Sequence, residues 1–257
     1  MGDLKHIIWA VVAAVLAAPF GHWTFTNRHN LLLSAKCALL LRRRRVRISC
    51  STALRIVDRH GLYLLAQTRL RRETFGPFGG VFKYRESARS RFDEIGFEEQ
   101  VTNQTATERD LRGFLPASSV SNFLRWFRKG IGRESDTECL KRELREELGE
   151  VALSDLTQLV DELEFVFVRE VIEPPVDVEN AGHMQMRIFR IYELDTRVEA
   201  AASMRDQLLR RSQNNDRLVL ATSNQIRSGR AGRLIGHHAG YLFSNARVRP
   251  NEPEFET

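Results

Sequence analysis

Residues 134–149 read E-S-D-T-E-C-L-K-R-E-L-R-E-E-L-G, and they constrain the fold more than any other stretch of the chain. Ser135 and Glu138 form a capping box, residues 136–148 hold only helix formers and tolerated residues, and Gly149 supplies a stop. On this helix Glu143, Glu146 and Glu147 stand at i, i+3 and i+4, so three carboxylates share one face. Like charges at that spacing repel. A hard divalent cation, Mg²⁺ or Mn²⁺, turns the repulsion into coordination, because it takes oxygen ligands and bridges to phosphate. There it would polarise a pyrophosphate and lower the pKa of an attacking water. The plain alternative is a solvated surface helix whose acids pair with Lys141 or Arg145.

Charge is distributed unevenly. Residues 1–47 hold eight Lys or Arg and one acid, while the remaining 31 basic and 32 acidic residues leave the body near neutral. The formal net charge of +6 therefore belongs to the N-terminal segment, and no nucleic-acid-binding surface is expected on the body. With 257 residues there is room for one compact domain and an appendage. Three cysteines without paired spacing exclude a disulfide framework and a Cys-based zinc site, and fit a reduced cytosolic setting.

Residues 7–25 carry one ionisable group, His22, with Trp9 and Trp23 near the ends. As helix they reach about 28 Å, close to a bilayer's hydrocarbon core. Residues 31–41 form a second apolar run, too short to span alone and interrupted by Lys36; it reads as the second leg of a hairpin or as an interfacial helix. Arg42, Arg43, Arg44, Arg45 and Arg47 follow, which keeps the rest of the chain cytoplasmic by the positive-inside rule. A signal peptide, a nucleic-acid arm and a buried helix are the competing readings. The expected organisation is a membrane anchor over 1–45 at the inner membrane, one or two helices, and a cytoplasmic body over 46–257.

In the body, residues 46–56 and 62–69 alternate as a pair of strands, and Gly76-Pro77-Phe78-Gly79-Gly80 is a sharp loop. Residues 83–112 lack a clear period, and 119–129 suggest a short amphipathic helix. Further strands are expected at 162–171, 183–194 and 218–221, with Pro174-Pro175 in a loop, a helix at 197–212, and a helix or turn at 236–243. Such a mixture indicates an α/β or α+β sandwich.

The pattern from Glu134 to Gly149 resembles the second half of the Nudix box: Glu, seven residues, then Arg142-Glu143-Leu144-Arg145-Glu146-Glu147-Leu148-Gly149. The glycine that should precede Glu134 with five residues between them is absent, since that position is Arg128. Gly79-Gly80 resembles the loop that opens the box, so the box is split by an insertion, at about 83–130. The resemblance implies a Nudix α/β/α sandwich in which Glu143, Glu146 and Glu147 are metal ligands. Glu134 would assist them, Arg142 would orient the carboxylates, and Gly79 and Gly80 would line the nucleotide. The anchor, the arginines and the split box with D-L-R-G-F-L-P at 110–116 further resemble the SMODS-associated Nudix proteins. These are two-transmembrane effectors of cyclic-oligonucleotide-based antiphage signalling (CBASS).

That resemblance implies a partner, a cyclic di- or trinucleotide made by a cognate nucleotidyltransferase, and a homo-oligomer on activation. The outcome would be death or growth arrest of the host cell. A membrane-tethered Mg²⁺-dependent Nudix hydrolase of a nucleoside diphosphate linkage stands beside it, as does a housekeeping pyrophosphatase. Three departures mark this chain: Glu150 in place of an aliphatic residue, Arg133 where relatives carry Gly, and only amides at 224–225 where some hydrolases place a late glutamate. Asn224 and Gln225 could read a base edge or belong to a polar loop. His237 and His238 are expected to point apart, and Phe123, Leu124, Trp126 and Phe127 to pack the insertion onto the sandwich.

Overall fold

The computed structural model describes residues 44–248 apart from 70–72, 101–108 and 179–181, together with Leu33, Cys37, Leu39, Leu41 and Arg42. The apolar run at 7–25 lies outside the described residues. Among those described, no helix is long and apolar enough to cross a membrane.

Among the described residues, nine strands and five helices form a mixed α/β fold. The strands are β1 (Arg45–Leu54), β2 (Tyr63–Gln67), β3 (Thr74–Gly76), β4 (Glu98–Glu99), β5 (Arg112–Pro116), β6 (Phe165–Asp177), β7 (Met184–Leu194), β8 (Leu218–Ala221) and β9 (Leu234–Ile235). The helices are α1 (Arg89–Ile95), α2 (Val120–Lys129), α3 (Asp136–Glu150), α4 (Glu199–Arg211) and α5 (Ser223–Ser228). One sheet has the order β4-β5-β1-β7-β6, with β1 and β7 parallel, and the other has the order β8-β2-β3-β9. Alternation in β1 decides its two faces: Val46, Ile48 and Cys50 are buried in a core cluster with their β7 partners Met184, Met186 and Ile188. Helix α3 bridges two clusters. Its Cys139 belongs to that first one, and Leu140, Leu144 and Leu148 belong to a second with Leu54, Phe78 and Met204.

The insertion leaves and returns at one point. The Lys83 N–H donates to the Glu134 carboxylate at 2.8 Å, and the Glu134 N–H donates to the Lys83 carbonyl at 2.9 Å. Tyr84 and Arg133 form the next antiparallel bridge. Because its ends are tied, the added length costs little loop-closure entropy. Within it, the apparently aperiodic stretch after Lys83 contains α1, β4 and β5, whose apolar residues are too few per element to show a period. Phe92 contacts Phe97 at 4.5 Å and Trp126 at 5.1 Å between ring centroids, and Phe82 meets Phe127 edge-on at 5.3 Å. Phe123, Leu124, Trp126 and Phe127 are buried, as anticipated.

Two expectations are corrected. Gly149 does not end the box helix, which runs to Glu150 and is closed by Val151, with Ala152 at φ 59°. Pro174-Pro175 lies within β6, where a register shift between Glu173 and Val176 absorbs the two residues without N–H donors. This is tolerated because β6 is an edge strand. Three arginines of the block after residue 41 have partners in the body. Arg44 pairs with Asp177, Arg45 pairs with Glu98 and lies 5.0 Å over Phe114, and the Arg47 Nε donates to Gln100 at 2.7 Å.

The second apolar run touches the body as well: Leu33 and Cys37 are buried in the first core cluster. Burying a leucine contributes about 1.5–3 kcal/mol. A chain cut at residue 45 is therefore expected to melt several degrees below one cut at residue 30. Differential scanning fluorimetry of the two truncations measures this, and equal melting temperatures would refute the packing.

Candidate functional site

The capping box predicted at the start of α3 is present. Ser135 Oγ accepts from the Glu138 N–H, and the Glu138 carboxylate accepts from the Ser135 N–H. That cap fixes the helix start, and the start fixes which residues face the Gly79-Gly80 loop. The loop itself runs beside β1, with the Leu54 N–H donating to the Phe78 carbonyl at 2.7 Å and the Thr52 N–H to the Gly80 carbonyl at 2.9 Å.

Here the two halves of the split box meet. The Gly79 N–H donates to Glu147 Oε2 at 2.8 Å. A Cβ on Gly80 would stand 2.1–2.3 Å from the Glu143 carboxylate, so only glycine lets the loop approach this closely. Arg142 organises the rest. Its Nε and Nη2 grip Glu134 bidentately at 2.8 and 2.9 Å, its Nη1 reaches Glu143 Oε1 at 2.6 Å, and its Nη2 also donates to the Val81 carbonyl at 2.8 Å. Glu146 Oε1 lies 3.6 Å from the same guanidinium. The side chain of Glu143 is 14 % exposed and that of Glu146 is 48 %, so the ladder of acids runs from the interior to solvent.

Burial pushes the Glu147 carboxyl well above the usual carboxylate range, with the Gly79 hydrogen bond opposing it and the Glu143 charge adding to it. Burial likewise raises Glu143, against the pull of Arg142; Glu146 and Asp110 add to the rise. Burial works against the Arg142 cation, yet its bonds to Glu134 and Glu143 hold it charged. Two contributors escaped the sequence reading. Asp110 is a further carboxylate near the ladder, hidden in a motif read only for its family likeness. Arg133 is the other: 4 % exposed, it is sandwiched between Phe82 and Phe127 at 4.5 and 4.3 Å and donates to the carbonyls of Phe127 and Glu134.

The donor set suits a hard divalent cation, since Glu143, Glu146 and Glu147 offer only oxygen. As the side chains stand, no three His, Cys, Asp or Glu residues among those described converge as a ready cage, because Arg142 holds Glu143. Loading the site means drawing Glu143 and Glu147 into their ionised forms. Since both have raised pKa values, the folded state retains protons that the unfolded state loses above the ordinary value of 4.5. Metal-free stability therefore falls as pH rises through that window, and cation binding, which expels those protons, strengthens. The melting-temperature gain from millimolar Mg²⁺ is expected to grow as pH rises above the ordinary carboxylate range; a gain independent of pH would contradict this assignment.

Asn224 and Gln225 open α5 rather than a loop. The Gln225 side-chain carbonyl accepts from the Thr222 N–H and hydroxyl in a second capping box, and Asn224 Oδ1 lies 3.4 Å from Arg227. His237 and His238 diverge, with ring planes at 84°; His237 lies 3.1 Å from Arg187 and His238 stacks on Phe189. Cys37, Cys50 and Cys139 are buried and unbridged.

No curated protein matches the chain. A family model, the SMODS-associated NUDIX domain, matches residues 45–243. The match begins at the first residue of β1 and takes in both glycines, the insertion and the whole ladder, so the chain belongs to the SMODS-associated NUDIX domain family.

Proposed function

We propose that the protein is a membrane-anchored effector of a cyclic-oligonucleotide-based antiphage system. Its Nudix domain binds a cyclic di- or trinucleotide second messenger, and the N-terminal segment delivers death or growth arrest at the inner membrane. The observation that carries this reading is the match to a SMODS-associated domain, in a chain whose residues 7–25 are apolar enough to span a bilayer. Ligand binding would bias an oligomerisation or helix-rearrangement equilibrium through its differential affinity for the two states.

A second reading is favoured by the intact ladder: a membrane-tethered phosphohydrolase acting on a nucleoside diphosphate linkage. Nudix domains in general use divalent metal ions. Glu143, Glu146 and Glu147 would hold Mg²⁺ or Mn²⁺, which would supply Lewis-acid polarisation of a phosphoryl oxygen. Arg142 holds Glu134 and Glu143 in place, and Gly80 lets the loop lie against them.

Glu146→Gln separates the two. Its exposed position spares the fold, and it removes one ligand charge. If the effector acts through its membrane segment, cells expressing the variant still arrest on messenger production while Mg²⁺-dependent turnover falls by about a hundredfold or more. Loss of arrest with the variant folded would place the lethal step in the carboxylates.

A further inference from the structure

The five-stranded sheet has two chemically opposite faces. Val46, Ile48 and Cys50 lie on the face packed with α3, so the residues between them point the other way. On that second face Arg47 stands beside Gln185 and Ser49 beside Arg187, while on the far side Ser49 pairs with Arg112 of β5. Three guanidinium groups, a hydroxyl and an amide thus form one patch on the side of the sheet away from the carboxylate ladder.

The patch is deep at one end and open at the other. Arg47, Ser49 and Gln185 are 7, 8 and 5 % exposed, whereas Arg112 and Phe114, toward the β4 edge, are only partly buried. At the deep end the Gln185 Nε2 is buried without a hydrogen-bond partner. An unpaired buried amide is costly, and a leucine there would not carry that cost. An unpaired donor in that position points to a bound group that completes it.

The charge indicates what kind of group. The Arg47 Nε donates to the Gln100 side chain at 2.7 Å. Arg187 lies 3.7 Å from Glu173 and 3.1 Å from His237 Nε2. Glu173, which also accepts from the Tyr241 hydroxyl, lies beside Arg187, and Glu98, paired with Arg45, lies across Phe114 from Arg47, so among the described residues four guanidinium groups on this face meet two carboxylates. The patch is therefore cationic, and guanidinium groups match phosphate oxygens by geometry as well as charge.

We infer that this face binds a phosphate-bearing nucleotide, with Arg47, Arg112 and Arg187 on the phosphate and the Gln185 amide on the edge of the base. The inference rests on the sensor reading above and deepens it: the messenger is held on the sheet face opposite the carboxylates, so sensing and any phosphoryl chemistry use separate sites.

The test titrates the full chain, in detergent micelles with Mg²⁺, against cyclic di- and trinucleotides and linear nucleoside mono- and diphosphates. Gln185→Leu, Arg112→Ala and Glu146→Gln are run beside it. Gln185→Leu and Arg112→Ala are expected to weaken binding by about tenfold or more, the scale of a lost charge-assisted contact, while Glu146→Gln retains it. Gln185→Leu should at the same time raise the melting temperature, because it removes the unpaired amide, so its weaker binding cannot come from unfolding. A cyclic nucleotide that still binds both patch variants but not Glu146→Gln overturns this site and leaves the sensor reading standing. Linear nucleotides bound through Gln185 and Arg112, with no cyclic nucleotide bound, uphold the site and overturn the sensor reading. No nucleotide bound by the wild-type chain overturns both.

Discussion

Gly79→Ala is expected to unfold the domain at physiological temperature, and Gly80→Ala to leave it folded with its carboxylate ladder broken. The neighbours differ in what a methyl group meets. At Gly79, where φ is +136°, a Cβ would stand 2.4 Å from the Thr52 carbonyl oxygen and 2.9 Å from the Ala53 Cα. Both are backbone atoms of the central strand and cannot step aside. Backbone strain and overpacking together cost roughly 2–5 kcal/mol, a large part of a domain's net stability. At Gly80 the colliding atoms belong to the end of the Glu143 side chain, which can rotate. It does so by leaving the loop and its bond to Arg142, so the melting-temperature gain from added Mg²⁺ is expected to shrink while the metal-free melting temperature falls only slightly. Thermal denaturation of both variants with and without Mg²⁺ decides it. Equal melting temperatures would mean that the loop does not lie where it is described.

The second large effect is at Arg142. This guanidinium neutralises Glu134 and Glu143 and caps the Val81 carbonyl from one position. Arg142→Ala leaves two poorly solvated carboxylates without their cation, a change that typically costs about 3–5 kcal/mol. Arg142→Lys keeps the charge but has no planar fork for the two bonds to Glu134, so it should recover only part of the loss. Denaturant unfolding of the three proteins measures this. A lysine variant as stable as wild type would show that charge alone, and not the bidentate grip, holds the box together.

Arg133 adds a consequence of the insertion. Its guanidinium is held between Phe82, at the point of departure, and Phe127, on α2 inside the insertion, while it binds the carbonyl of Glu134. The inserted segment is therefore fastened to the residue that Arg142 grips.

The box helix was legible because its signals are local: a cap at Ser135, three acids at helical spacing and an Arg-Glu pair at Arg142 and Glu143. Splitting of the box was also legible, since Gly79-Gly80 retained the loop chemistry without its neighbour in sequence. What closes the gap was not. The Lys83–Glu134 bonds and the Gly80–Glu143 contact join residues more than fifty positions apart and leave no periodic trace. Helix α1 and strands β4 and β5 were hidden for a related reason: Phe92 and Ile95 bury α1, Phe97 the turn that follows it and Leu115 strand β5, each below the length at which a pattern repeats. Pro174-Pro175 misled in the opposite direction, because a proline pair marks a loop except on an edge strand with a bulge. The arginines at 44, 45 and 47 look identical in sequence to a basic membrane flank; only the strand register assigns them to Asp177, Glu98 and Gln100.

The central claim is that this Nudix domain reads a cyclic nucleotide for a membrane-bound effector. The most direct test is calorimetric titration of the full chain in lipid nanodiscs with cyclic di- and trinucleotides in Mg²⁺, followed by chemical analysis of the mixture. The account predicts that one of them binds tightly and is recovered intact. Absence of binding to every cyclic nucleotide, with turnover of a linear nucleoside diphosphate in the same buffer, would contradict it and make the ladder the working site of a tethered hydrolase.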